Sequence, residues 1–252
     1  FLKSGDVSFL TSSPTLHNYI ALLQASYITV FLRSFWLSIM TVFFCLLLGY
    51  PFAYLLSRLS ERWRVILIFM LIIPFWTSSL IRIYATIIII RTNGLLNQLL
   101  LWLHLIHHPF QLLYTKTAVL IGLVYALLPF MILPLYSNME RFNWQLLEAA
   151  RDLGAGRIRI LLQIMIPNTI SGIVAGIILV LLPAMTLFYI PDILGGGKSL
   201  LLGNLIKDQF LEAHNWPLGS AAGVVLTLLL GVLLMIYWHV SSEKDRREDL
   251  RL

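Results

Sequence analysis

Long apolar runs, each closed by basic or turn-forming residues, dominate the chain. Five are long enough to cross a bilayer as helix, which takes about 20 residues. They lie at 31–57, 64–90, 117–139, 168–190 and 218–240. In hydrocarbon every backbone N–H and C=O must be paired within the segment, so these runs predict helices. The residue-by-residue alternation of a membrane barrel is absent. Leu95–Ile106 is apolar but too short to span, and predicts a helix lying in the outer interface. Gly195-Gly196-Gly197 predicts a flexible outer loop.

Composition agrees. Of 252 residues, 59% are hydrophobic and 12% charged, with mean hydropathy +0.85. A soluble domain carries about a quarter charged residues, so a soluble enzyme and a disordered chain are both excluded. Cys45 is the only cysteine, which excludes a disulfide scaffold. The net charge of +6 follows from basic loops, not from nucleic acid as a partner.

Those loops orient the chain. Arg58, Arg62 and Arg64 separate the first two spans, and Arg141, Arg151, Arg157 and Arg159 separate the third and fourth. Lys244, Arg246, Arg247 and Arg251 follow the fifth. These eleven, of 18 basic residues, mark the cytoplasmic side, with the C-terminus inside. Arg91, Lys116, Lys198 and Lys207 fall on the opposite side. Residues 1–30 then form an extracytoplasmic arm and 31–252 a transmembrane domain with a cytoplasmic loop at 140–167. An external arm with no signal peptide implies a further span upstream, six in all.

Several motifs imitate chemistry. Gly197-Lys198-Ser199 resembles the end of a nucleotide-binding loop, but Asp192 stands where its first glycine belongs. His104, His107 and His108 would share a face of a short helix, without an acidic or cysteine partner nearby. Ser34, Ser38, Ser78 and Ser79 lack His and Asp partners for a triad. No catalytic residue and no metal site is expected. Gly172-x3-Gly176 and Gly219-x3-Gly223 allow close helix approach, within the chain or between subunits. Pro129, Pro134 and Pro183 lie inside spans and predict kinks.

The most informative stretch is Glu148–Pro167. Trp144–Leu153 predicts a short amphipathic helix, with Leu146, Leu147, Ala150 and Leu153 near one face. Asn143 is its expected N-cap and Gly154 its left-handed stop. Glu148 and Arg151, one turn apart, can pair or contact a partner. Such a helix either meets a cytoplasmic protein or lies on lipid.

Glu148-Ala149-Ala150, three residues, Gly154, nine residues, then Ile164-x-Ile166-Pro167 resembles the Glu-Ala-Ala loop of binding-protein-dependent ABC importer permeases. Ile166 stands where that pattern has leucine. The resemblance implies an all-α polytopic chain with the type I permease fold. It also implies a coupling helix, including Glu148, Ala149, Ala150, Arg151, Asp152, Gly154 and Pro167, that docks on a separate ATPase. The chain then has no cofactor of its own, and ATP and Mg belong to that ATPase.

Leu48–Ala53, Ile73–Thr77, Ser79–Tyr84, Ile121–Tyr125 with Leu128–Phe130, and Leu182–Met185 are similar to the B-type permeases of spermidine/putrescine importers. That likeness covers almost the whole chain. It implies a homologous second permease subunit, two ATPase copies and an extracytoplasmic polyamine-binding protein, assembled in the inner membrane.

A polyamine needs carboxylates for its ammonium groups and aromatic faces for charge and methylenes. Asp192, directly after the fourth apolar run, is the expected ammonium partner. Tyr189 is an aromatic or hydroxyl contact, unless Pro191 ends the helix between them. Phe75, Trp76 and Tyr84 line the path or belong to the interfacial aromatic belt, with Trp76 preferred. Lys207 pairs with Asp192 or Asp208 as an internal competing cation, and Asp208 and Glu212 face the binding protein. The alternatives are the same architecture for another small solute and an ion-coupled secondary transporter.

Overall fold

A computed structural model describes residues 2–3, 11–14, 17–197 and 200–249. Leu2–Lys3 (β1) and Thr11–Pro14 (β2) pair antiparallel, and the rest of the described architecture is helical. The helices are α1 (His17–Leu22), α2 (Ala25–Arg58), α3 (Glu61–Trp76), α4 (Ser79–Ile90), α5 (Leu95–Trp102) and α6 (Lys116–Glu140). After them come α7 (Gln145–Asp152), α8 (Arg157–Ile160), a π-helical turn (Leu161–Met165), α9 (Ile166–Asn168) and α10 (Ile170–Thr186). The chain continues through α11 (Tyr189–Gly195), α12 (Leu202–Leu211) and α13 (Trp216–Asp249).

The centre is a three-helix unit of α2, α6 and α10. Small residues make it close-packed. The buried stripe of α2 runs Ser34, Ser38, Thr41, Cys45, Gly49 and Ala53, at three- and four-residue spacing. A side chain at Gly172 would meet the Asn138 side chain and the Pro134 carbonyl, and one at Gly176 would meet Met131. The first glycine pair therefore packs α10 on α6 within the chain. In the second pair, Gly219 lies against Phe210 and Gly223 faces open space.

The predicted spans appear with three corrections. The run 64–90 is two helices, broken at Thr77 and Ser78. Both the Thr77 N–H and its hydroxyl donate to the Pro74 carbonyl, so the local polar run takes the bonds that would continue the helix. The run 168–190 is α10 and α11, separated by Leu187 and Phe188. The fifth helix continues about ten residues beyond its predicted end. α6 continues through Pro129 and Pro134, and α10 through Pro183. Among the described residues, four helical stretches are long and apolar enough to cross a membrane, or five if the pair bent at Thr169 counts as one span.

The outer connection between α4 and α6 is built on Asn97, which is buried. Its amide donates to the carbonyls of Thr92 (3.0 Å), Phe110 (2.8 Å) and Arg91 (3.3 Å), while its oxygen accepts from the Phe110 N–H (3.0 Å). Asn97→Ala is expected to destabilise the protein by about 2–3 kcal/mol, because several backbone groups lose their partner at once. Thermal unfolding of the purified protein in detergent checks this as a lowered Tm. The three histidines are not on one helix face: α5 ends at Trp102, and His104 turns the chain with φ 55°.

Candidate functional site

The loop 140–167 folds as the spacing of its residues demands. The Asn143 side chain accepts from the Gln145 N–H at 3.1 Å, with Trp144 standing at the cap position. Gly154 takes φ 78°, and its N–H bonds the Arg151 carbonyl (2.8 Å) while the Ala155 N–H bonds the Ala150 carbonyl (2.9 Å). This pair of bonds is a Schellman stop, and the positive φ is why residue 154 is glycine. The predicted apolar face divides. Leu147 and Ala150 are buried against Ile160 and Met165, whereas Leu146 is half exposed and Leu153 is 88% exposed. Glu148, Ala149, Arg151, Asp152 and Gly154 are also exposed, and Glu148 and Arg151 do not form an ion pair. The short helix thus presents polar and apolar groups outward, while Ala150 is small because the following segment packs on it.

Trp144 fixes this helix to the end of α2. Its ring meets Tyr54 edge-on at 5.9 Å and Phe142 at 5.1 Å, and the Arg58 guanidinium lies 4.2 Å from its centroid. On the other side, Pro167 follows the π-helical turn Leu161–Met165. Proline has no N–H and crowds the carbonyl four residues earlier, here Gln163, which accounts for the altered register. The chain then bends by 72° at Thr169. Thr169 is buried, and its hydroxyl donates to the Met165 carbonyl (2.8 Å) and lies 3.2 Å from the Tyr50 hydroxyl. Loop, bend and α2 therefore form one connected unit.

The second cluster lies at the far end of α10. Pro191 does not end the helix there: it falls in the first turn of α11, where a missing N–H costs nothing. Tyr189 and Asp192 are consequently one turn apart on α11. Lys207 of α12 places its Nζ 2.9 Å from Asp192 Oδ2, 3.2 Å from Asp208 and 4.0 Å from Glu212. The same Nζ lies 5.9 Å from the Phe188 ring centroid, and Phe188 stacks edge-on with Tyr189 at 6.0 Å. One ammonium is thus held by three carboxylates and an aromatic face. The Lys207 pKa is raised, first by the hydrogen bond to Asp192, against an opposing effect of burial and with help from Asp208. With the carboxylates ionised, the stabilisation that goes with the raised lysine pKa is fully present below about pH 10.4 and is lost as pH rises through the higher folded value.

Residues not singled out from the sequence position this cluster. The buried Asn204 amide donates to Asp192 Oδ1 and to the Phe188 carbonyl (3.0 Å), and its oxygen accepts from the Leu201 N–H. Ser34, set aside above as a nucleophile, accepts from the Leu202 N–H at 2.7 Å. A side chain at Gly203 would collide with the Thr186 carbonyl, so α12 starts hard against the end of α10. A lone asparagine in an apolar stretch is the one sequence signal that points to this. Trp76 is 80% exposed at the end of α3, and Tyr84 is exposed on α4. Phe75 packs on Phe130 and carries the Arg82 guanidinium 4.7 Å above its ring. Lys198 and Ser199 of the glycine loop lie outside the described residues, as do Arg251 and the side chains of Lys244, Arg246 and Arg247.

Comparison with known proteins agrees with this architecture. Residues 18–247 match the family described as binding-protein-dependent transport system inner membrane component. The chain is 48% identical over 250 residues to the spermidine/putrescine transport system permease protein PotB of Escherichia coli (strain K12), covering 99% of this chain and 91% of that one. It is 51% identical over 247 residues to PotB of Salmonella typhimurium (strain LT2), covering 98% and 86%. Its fold is similar to a chain in the crystal structure of a bacterial ABC transporter involved in the import of the acidic polysaccharide alginate, with TM-score 0.72, 16% identity, and coverage of 92% and 85%. With all-helical spans arranged in that fold and a family match across nearly its whole length, this chain belongs to the inner-membrane components of binding-protein-dependent transport systems.

Proposed function

We propose that this chain is the permease subunit of an ATP-driven polyamine importer, with loop 140–167 and the C-terminus in the cytoplasm. The observation that carries the substrate class is the surroundings of Lys207: a primary ammonium held by Asp192, Asp208 and Glu212 beside Phe188. A polyamine is a chain of such ammonium groups with methylene spacers. The identity to spermidine/putrescine permeases supports the same reading. Asp192 is the ammonium partner, Tyr189 an aromatic contact, and Lys207 a tethered cation that substrate displaces. Trp76 lies on a separate part of the pathway.

In this reading an extracytoplasmic binding protein delivers polyamine to the outer side, and a homologous second permease subunit supplies the other wall of the path. Of the two copies of a cytoplasmic ATPase, carrying ATP and Mg, one grips the exposed face of Gln145–Asp152. Their closure favours one arrangement of the spans only by binding it better than the other. Outward-directed Glu148, Ala149, Asp152 and Leu153 make the grip. Trp144 and the Tyr50–Thr169 contact carry the displacement into α2 and α10.

The test is polyamine-stimulated ATP hydrolysis and uptake by the complete complex in proteoliposomes. Asp192→Asn is expected to lower uptake at limiting spermidine about tenfold or more, since it removes a charge-assisted bond. Glu148→Ala is expected to uncouple hydrolysis from uptake. Lys207→Ala is expected to lower the half-saturating polyamine concentration about threefold, the scale of a partly exposed ion pair. Unchanged uptake and coupling would remove Lys207 from the site. Stimulation by a different solute, with none by polyamine, would keep the importer and overturn the substrate.

A further inference from the structure

A cavity of about 820 Å³ opens between α2 and the loop 140–167. Leu147, Ile160 and Met165 form an apolar floor, and Tyr50 and Tyr54 form one wall. The charged residues in its lining are Arg151 and Arg157, and no carboxylate lines it. Both arginines are exposed, and neither has an ion-pair partner among the described residues. The cavity lies on the inner side of the short helix, away from exposed Leu146 and Leu153. It also adjoins the bend, since Tyr50 reaches Thr169.

Two unpaired guanidiniums above an apolar floor match an amphiphile with an anionic head. Arginine pairs phosphate oxygens in a planar, bidentate manner. A soluble phosphate ester would leave the Leu147, Ile160 and Met165 surface uncovered, whereas a lipid brings glycerol and acyl carbon to it. The position fits as well: Tyr54 lies about one turn and Tyr50 a little over two turns before Arg58, where α2 leaves the apolar run. Basic pockets between spans at the cytoplasmic boundary are suited to anionic headgroups, and the inner leaflet supplies them. We propose that this cavity binds the phosphate headgroup of an anionic phospholipid of the cytoplasmic leaflet, wedged between the coupling helix and the Tyr50–Thr169 bend. The inference rests on the cytoplasmic placement of loop 140–167, and not on the identity of the transported solute.

The intact complex, delipidated in detergent, is offered phosphatidylglycerol or phosphatidylcholine of matched chains and read by native mass spectrometry. A phosphatidylglycerol with a photoreactive headgroup then maps the contact. Retention of phosphatidylglycerol over phosphatidylcholine by about tenfold, and crosslinks within 50–54 or 151–165, are the expected results. Arg151→Gln with Arg157→Gln removes the selectivity, while Arg157→Lys keeps most of it. Equal retention of the two lipids by the wild-type complex overturns the proposal without reference to any variant. So do crosslinks confined to other segments, and selectivity unchanged in the double variant. Displacement of the lipid by millimolar glycerol 3-phosphate would assign the cavity to a soluble phosphate ester instead. The readout is lipid retention, so a failure of the polyamine reading leaves this result unaffected.

Discussion

Trp144→Ala is expected to abolish most polyamine uptake while ATP hydrolysis continues. The indole joins α7, the helix proposed above to meet the ATPase, to α2. It makes two edge-on aromatic contacts, with Tyr54 and Phe142, and a cation–π contact with Arg58. Aromatic pairs contribute about 0.5–1.5 kcal/mol each and an interfacial cation–π contact about 0.5–2 kcal/mol. Losing all three costs about 2–4 kcal/mol, comparable to the coupling energies that link distant sites. The exposed grip of Glu148 and Leu153 remains, so the ATPase still binds and turns over. What is lost is transmission. Uptake per ATP hydrolysed in proteoliposomes should fall about tenfold or more, and Trp144→Phe should restore much of it. Unchanged stoichiometry in Trp144→Ala would mean that force enters through Pro167 and the bend alone.

The second large effect lies in the core. Gly172→Val is expected to prevent stable folding of the chain. A Cβ at residue 172 would lie 2.7 Å from Asn138 Cβ and 3.0 Å from the Pro134 carbonyl oxygen. The oxygen belongs to the backbone of α6 and cannot swing aside, so α6 and α10 must separate. Overpacking of this kind costs about 1–3 kcal/mol for each misfit, and a branched side chain adds further clashes. The Asn138 amide donates to Ser171 at 2.7 Å, and that bond is lost with the separation. Gly223→Ala is the matched control, because its Cβ meets nothing within 4 Å. In a helix it should be neutral or stabilising by up to about 1 kcal/mol. Size-exclusion profiles and Tm in detergent distinguish the two. A Gly172→Val protein as stable as wild type would show that α10 can shift along α6.

The local features of the chain were legible because their causes are local. Apolar run length determines where a helix can cross hydrocarbon, and the starts of α6 and α13 fall within two residues of expectation. Gly154 was readable as a helix stop because only its own backbone angle is involved. Glu148 and its neighbours were readable because a short helix needs no distant partner to define its spacing. The three histidines went the other way: α5 ends at Trp102, before reaching them, and no periodicity count registers that.

What required tertiary structure was most of the contacts between residues far apart in sequence. Asp192 and its pairing with Lys207 were legible as opposite charges beside an apolar run, yet the site also depends on Asn204 and Phe188, brought together by the break between α10 and α11. That break arises where α12 meets Ser34 of α2 and the Thr186 carbonyl, neither adjacent in the chain. Trp76, selected for its polar neighbours, is 80% exposed, and its exposure too is set by how distant helices pack. The split of α7 into Leu147 and Ala150 inward, with Leu146 and Leu153 outward, likewise follows from how Ile160 and Met165 fold back beneath it. By itself the sequence determined where the apolar helical stretches lie and where the short helix Gln145–Asp152 stops, since these depend on hydropathy and backbone angle within a few residues, but not the breaks at Thr77 and Leu187. The fold alone decided which polar groups meet inside, because a buried charge or amide is satisfied by whatever the packing of distant helices places beside it.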